Sequence, residues 1–72
     1  MQTISFPLNG EHIALCHLIK LVGLATSGGE SKALVAAGQV RVDGKTETRK
    51  TAKIRAGQVV EYLDTRIEIL GQ

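Results

Sequence analysis

The chain of 72 residues contains no Trp and a single Phe, Tyr, Pro and Cys. Each shortage excludes something. With Phe6 and Tyr62 as the only aromatics, burial has to come from Ile, Leu, Val and Ala. Gripping loose single-stranded bases between aromatic rings is then poorly served. A lone Cys16 cannot close an internal disulfide. That suits a reducing cytosol and removes the staple on which many small secreted domains depend. No stretch approaches the roughly 20 apolar residues of a spanning helix, and no basic leader precedes an apolar run at the N-terminus. A cytoplasmic protein is expected. A chain this short buries only about 60% of its unfolded surface, too little to divide between two cores. Residues 1–72 are therefore read as one domain.

What the chain does have is positive charge in one place. Residues 38–57, "GQVRVDGKTETRKTAKIRAG", hold six of the nine Lys and Arg residues against only Asp43 and Glu47, a local charge of +4. The remaining three basic and five acidic residues sum to −2. A cation cluster on an otherwise mildly acidic small domain is the footprint of a protein that docks a polyanion in one orientation. A solvated, charged hairpin is the plainer alternative.

Local patterns place this cluster in a fold. "TISFPL" alternates Ile4, Phe6 and Leu8 with polar residues or Pro, the period of a half-buried strand. Pro7 lacks a backbone donor and assigns that strand to a sheet edge. From about Ala14, the spacing of Leu15, Leu18, Ile19 and Val22 predicts a helix that Gly23 stops. His12 and Cys16, four apart, could share a helix face. Ser27 and Glu30 form a capping-box pattern for a second, short helix, with Leu34, Ala37 and Ala33 as its expected inward face and Gly38 at its end. Small Ala residues would let the two helices pack closely. Beyond Gly38 the period becomes two. Val40 and Val42 lead into Asp43-Gly44, a type I′ hairpin signal, and "QVVEY" and "RIEIL" read as later strands after an Ala56-Gly57 turn. A two-residue turn would pair Val42 with Lys45 and Val40 with Glu47, putting charge on the valine face, unless the loop is wider. The expectation is an α+β fold, with two short packed helices on one face of a small, mostly antiparallel sheet.

Taken together, residues 15–60 resemble the RNA-binding domain of the ribosomal protein S-four type (the αL motif). The family pattern, roughly Leu-Asp-x-x-Leu, Gly-Leu-Ala, Ser-Arg-x-x-Ala, Gly-x-Val-x-Val-Asn-Gly, then Pro-Gly-Asp-x-Ile, lies on this stretch without a gap. "VGLATS", "GQVRVDGK" and "KIRAGQVV" carry the match, and the whole chain is similar to small stand-alone bacterial members. Departures fall at Cys16 for the helical acid, Ala14 for a basic residue before it, Gly28 for the Arg after the motif's Ser, and Ala56 and Gln58 for the late Pro and Asp. The resemblance implies binding of structured RNA by the second helix and first hairpin, with ribosomal or transfer RNA or a ribosomal particle as partner. Ribosomal or RNA-modifying proteins are the alternative partners.

The residues themselves agree with that implication. Arg41 is expected opposite the valine face and Lys45 at the hairpin tip, with Arg49, Lys50, Lys53 and Arg55 following and Lys32 joining from the second helix. All can reach solvent and meet phosphates by electrostatics and counterion release. Glycines at a helix start admit an anion to free N–H groups, so Ser27, Gly28 and Gly29 form a candidate phosphate seat. The alternative is that these glycines only shape the turn. His12, Cys16 and His17 lack the further ligands that a structural zinc site needs. No nucleophile–base pair or carboxylate pair suggests catalysis, so no metal, cofactor or enzymatic activity is expected. No amphipathic helix with apolar anchors offers itself to a membrane.

Overall fold

The period-two stretches at both ends of the chain meet as neighbouring strands. The computed structural model describes residues 2–71. Its elements are β1 (Gln2–Pro7), β2 (Ile13–Ala14), α1 (Leu15–Leu21), α2 (Gly28–Ala36), β3 (Val40–Val42), β4 (Lys45–Thr46), β5 (Lys53–Ile54), β6 (Val59–Tyr62) and β7 (Thr65–Leu70). Five strands form a sheet in the order β1-β7-β6-β3-β4, and β2 and β5 form a separate two-stranded ribbon. Only the β1–β7 pairing is parallel; the others are antiparallel. The architecture is α+β, as the patterning predicts.

β1 is an edge strand, and its register explains Pro7. Gln2 donates its N–H to the Asp64 carbonyl (2.6 Å) and Leu8 donates to Leu70 (2.8 Å). Even-numbered positions therefore face β7, while Thr3, Ser5 and Pro7 turn their backbone outward, where a missing donor breaks no ladder bond.

Both helices end alike. Gly23 and Leu24 donate to Lys20 and Ile19, and Gly38 and Gln39 donate to Val35 and Leu34. These are the paired bonds of a Schellman motif, with Gly23 (φ 85°) and Gly38 (φ 76°) in the left-handed position. α1 buries Leu15, Leu18 and Ile19 as expected. α2 does not bury the expected face. Ser31 and Val35 are its buried residues, Leu34 is half-buried, and Ala33 and Ala37 are exposed. The phase is shifted because a polar residue at the helix contact is satisfied: the Ser31 hydroxyl donates to the Cys16 carbonyl of α1. The close helix approach therefore rests on Ser31 rather than on the alanines. The capping box is also displaced by one residue. Ser27 Oγ accepts from Glu30 N–H (3.1 Å), but the Glu30 carboxylate reaches the N–H of Thr26 (3.1 Å) rather than that of Ser27.

The helices cover one face of the sheet. Leu15, Leu18, Ile19 and Val35 meet Val40, Val60 and Ile67 in a single aliphatic cluster that also takes in Ile54. The hairpin has its two-residue turn, with Val42 opposite Lys45 and positive φ at Asp43 (52°) and Gly44 (84°). The charge conflict is settled by brevity. β4 stops at Thr46, Lys45 stays exposed, and Glu47, although its N–H bonds Val40 (3.0 Å), turns its carboxylate to Arg49. Among the described residues no helix is long and apolar enough to cross a membrane.

Candidate nucleic-acid interface

The segment between β4 and β5 has few apolar residues to pack and is held instead by its backbone. Ala14, at the N-cap of α1, offers no side-chain cap, so the first N–H groups of that helix need other acceptors. They find them in this segment: Leu15 donates to the Ala52 carbonyl (2.9 Å) and Cys16 to the Lys50 carbonyl (3.0 Å). The Cys16 carbonyl in turn accepts the Ser31 hydroxyl. Lys50, Cys16 and Ser31 are thus joined in series, tying the basic segment, the start of α1 and the N-terminal half of α2. Ala14 also pairs with Lys53 in the β2–β5 ribbon. Lys32, Arg49, Lys50 and Lys53, from three separate segments, are all exposed.

A second set of bonds fixes the hairpin tip. Asp43 Oδ1 accepts from Val59 N–H and its Oδ2 from Gln58 Nε2, each at 3.0 Å, and Gln58 Oε1 accepts from Arg55 N–H at 2.7 Å. The Asp43 N–H returns a bond to the Val59 carbonyl (2.8 Å). The turn bearing Lys45 and the turn bearing Arg55 are therefore clamped together. The Gln58 amide, then the Val59 N–H, holds the Asp43 carboxyl below its ordinary value. Both oxygens accept in the ionised form. Lys53 and Arg55, on either side of the buried Ile54, are both exposed.

Arg41 stands elsewhere. It is exposed on the open face of the sheet, away from the helices. There it is opposite Glu61, which is in turn opposite Arg66. Arg66 Nε lies 3.8 Å from Glu68. Charges on this face alternate and largely cancel. A groove of about 430 Å³ crosses it, lined by Gly38, Gln39, Arg41, Thr46, Glu61 and Leu63. Arg49 is also compensated: its Nε lies 3.2 Å from Glu47 Oε2, and its backbone N–H donates to the same oxygen (3.1 Å). The guanidinium lowers the Glu47 carboxyl, and Glu47 raises Arg49.

At Ser27, Gly28 and Gly29 the start of α2 is open. A Cβ at Gly28 would meet nothing within 4 Å, and one at Gly29 only Ser27 Oγ at 3.9 Å. The Glu30 carboxylate sits at the same helix end and offsets its positive pole. The turn therefore offers room more than charge.

His12 precedes α1 and does not share a helix face with Cys16, contrary to the expectation from their spacing. Among the described residues, no group of three or more His, Cys, Asp or Glu side chains could hold a metal ion. Sequence reasoning missed the β2–β5 ribbon, because two-residue strands have no readable period. It also missed the backbone cap of α1, for which only the absence of Ser, Thr, Asp or Asn before Leu15 is a signal.

Known proteins share this arrangement. The S4 domain family matches residues 6–70, wider than the stretch on which the motif was read. "Putative RNA-binding protein YbcJ" of Escherichia coli (strain K12) is 46% identical over 59 residues, covering 82% of this chain and 84% of that protein. "Uncharacterized protein YbcJ" of Shigella flexneri matches to the same extent. The solution structure of YbcJ from E. coli, described as revealing an αL motif involved in RNA-binding, superimposes with a TM-score of 0.73 at 41% identity, over 97% of this chain and 90% of that one. Sequence, topology and motif converge on the same assignment, and the chain belongs to the S4 domain family.

Proposed function

We propose that this chain is a single non-enzymatic domain that binds structured RNA, with the sugar-phosphate backbone crossing Lys32, Lys50 and Lys53 and continuing to Arg55 and Lys45. The observation that carries the reading is the Lys50–Cys16–Ser31 series of hydrogen bonds, which ties the segment bearing Lys50 to the helix bearing Lys32. The likeness to YbcJ supports the class of ligand. Ribosomal or transfer RNA, free or within a ribosomal particle, fits a surface that meets phosphates by shape and charge. Arg49 is available once phosphate displaces Glu47, and the Ser27–Gly28–Gly29 turn lets a phosphate approach closely. Titrating a transfer RNA and a ribosomal RNA fragment into labelled protein tests this. Salt-reversible amide shifts at Lys32, Lys50 and Lys53 are the expected result, and their absence with both RNAs refutes it.

One feature favours a protein contact as a second reading. The open sheet face combines the alternating Arg41 and Glu61 with Leu63, which is 75% exposed. Such a mixed surface suits a ribosomal or RNA-modifying protein better than a polyanion. Co-purification of such a protein that survives nuclease treatment and is lost on Leu63→Asp would establish it.

A further inference from the structure

A cleft of about 300 Å³ opens between the end of β1, the loop that follows it and α1. Phe6, Ile13 and Leu21 supply its apolar wall, and Asn9, His12 and His17 its polar groups. Leu21 is 55% exposed on a helix that otherwise buries its leucines. No carboxylate is among the described residues that line the cleft. An apolar wall with two imidazoles and one amide matches a flat ring with a hydrogen-bonding edge. Unstacked bases are held in this way, against aromatic or His rings with their edges read by side chains.

Its position identifies the source of such a ring. His17 follows Cys16, whose N–H bonds the Lys50 carbonyl, and Ile13 pairs with Ile54, which lies between Lys53 and Arg55. The cleft therefore adjoins the cation surface across the first turn of α1. Resting on the RNA reading above, we propose that this cleft receives one unstacked nucleobase of the bound RNA, its ring against Phe6 and His17 and its polar edge at Asn9 and His12. RNA would then be held by one inserted base in addition to its phosphates. The sequence pattern gives Phe6 only as part of a half-buried strand.

The test uses a stem-loop RNA with a four-adenosine loop and the same stem-loop with abasic loop sugars. Each is titrated with wild-type protein, a His12→Ala/His17→Ala variant and a Lys50→Ala/Lys53→Ala variant at several salt concentrations. Both histidines are exposed, so the first variant should keep the wild-type urea midpoint. It should lose about 5- to 160-fold in affinity for the adenosine loop, the range expected for one stacked base. Its salt slope should be unchanged, and it should bind the abasic RNA like wild type. The lysine variant should instead flatten the salt slope on both RNAs. Equal wild-type affinity for the two RNAs, or a histidine variant that binds the adenosine loop normally, overturns the base site while leaving the RNA reading intact. Failure of wild-type protein to bind either RNA overturns that reading, and this one with it.

Discussion

The most informative perturbation is ionic strength, because the structure sorts the seven candidate cations into unequal classes. Arg41 faces Glu61 across the β3–β6 pair, and Arg49 is held by Glu47. Removing these two from seven leaves five: Lys32, Lys45, Lys50, Lys53 and Arg55. Each neutralised phosphate contributes roughly 0.7 to 0.9 to the slope of log affinity against log salt, so five contacts give about −3.5 to −4.5. Raising salt fourfold, from about 50 to 200 mM, should then weaken binding by about 100- to 500-fold. Were all seven engaged, the slope would be about −5 to −6 and the loss at least about 1,000-fold. Fluorescence anisotropy with a labelled transfer RNA over this range separates the two cases. The decisive comparison is between single variants. Lys50→Ala should flatten the slope by about 0.7 to 0.9, whereas Arg41→Ala should leave it nearly unchanged. Equal changes in the two variants, or a wild-type slope near zero, would refute the sorting of charges on which the interface is built.

Other perturbations test the scaffold. Ser31→Ala removes the buried hydroxyl that joins α2 to the Cys16 carbonyl, and should lower stability by about 1 to 3 kcal/mol in urea unfolding. Asp43 and Glu47 have folded-state pKa values below their ordinary 3.8 and 4.5. Their contribution is present above that range and is lost as pH falls through the lowered values. The urea midpoint should therefore hold from neutral pH to about pH 5 and fall below about pH 4, less steeply in Asp43→Asn. Leu63 is exposed in left-handed conformation (φ 53°) between β6 and β7. Leu63→Gly should raise stability by about 1 kcal/mol in the same assay, because the steric cost of that conformation disappears. Gly28→Asp adds a Cβ that meets nothing within 4 Å at the first position of α2. It should keep or raise the thermal midpoint while weakening RNA binding, and an unchanged affinity would remove the Ser27–Gly29 turn from the interface.

Two positions at which the chain differs from the family pattern read on residues 15–60 meet in three dimensions. The family pattern places Asn before the hairpin Gly and Asp in the late turn; here those positions are Asp43 and Gln58. They touch, Gln58 Nε2 lying 3.0 Å from Asp43 Oδ2.

Much of the fold could be read locally. The helix ends at Gly23 and Gly38, the Asp43-Gly44 turn and the edge position of β1 each depend on neighbours within a few residues, through φ preferences, a missing donor or hydrophobic period. These causes act before the chain is compact, which is why they are legible in one dimension. The phase of α2 was not legible. Burying Ser31 in place of the alanines is favourable only because a carbonyl fifteen positions earlier lies against it. Nor could the charges be sorted from composition. The segment bearing Lys50 is tied to α1 because that helix lacks a side-chain cap and takes its acceptors from a distant loop, while Arg41, inside the same basic stretch, is turned to the open face of the sheet by strand alternation. Local sequence set the elements and the excess of positive charge. Packing decided which segments meet, because satisfying buried and terminal backbone groups depends on what the rest of the chain brings within hydrogen-bonding reach.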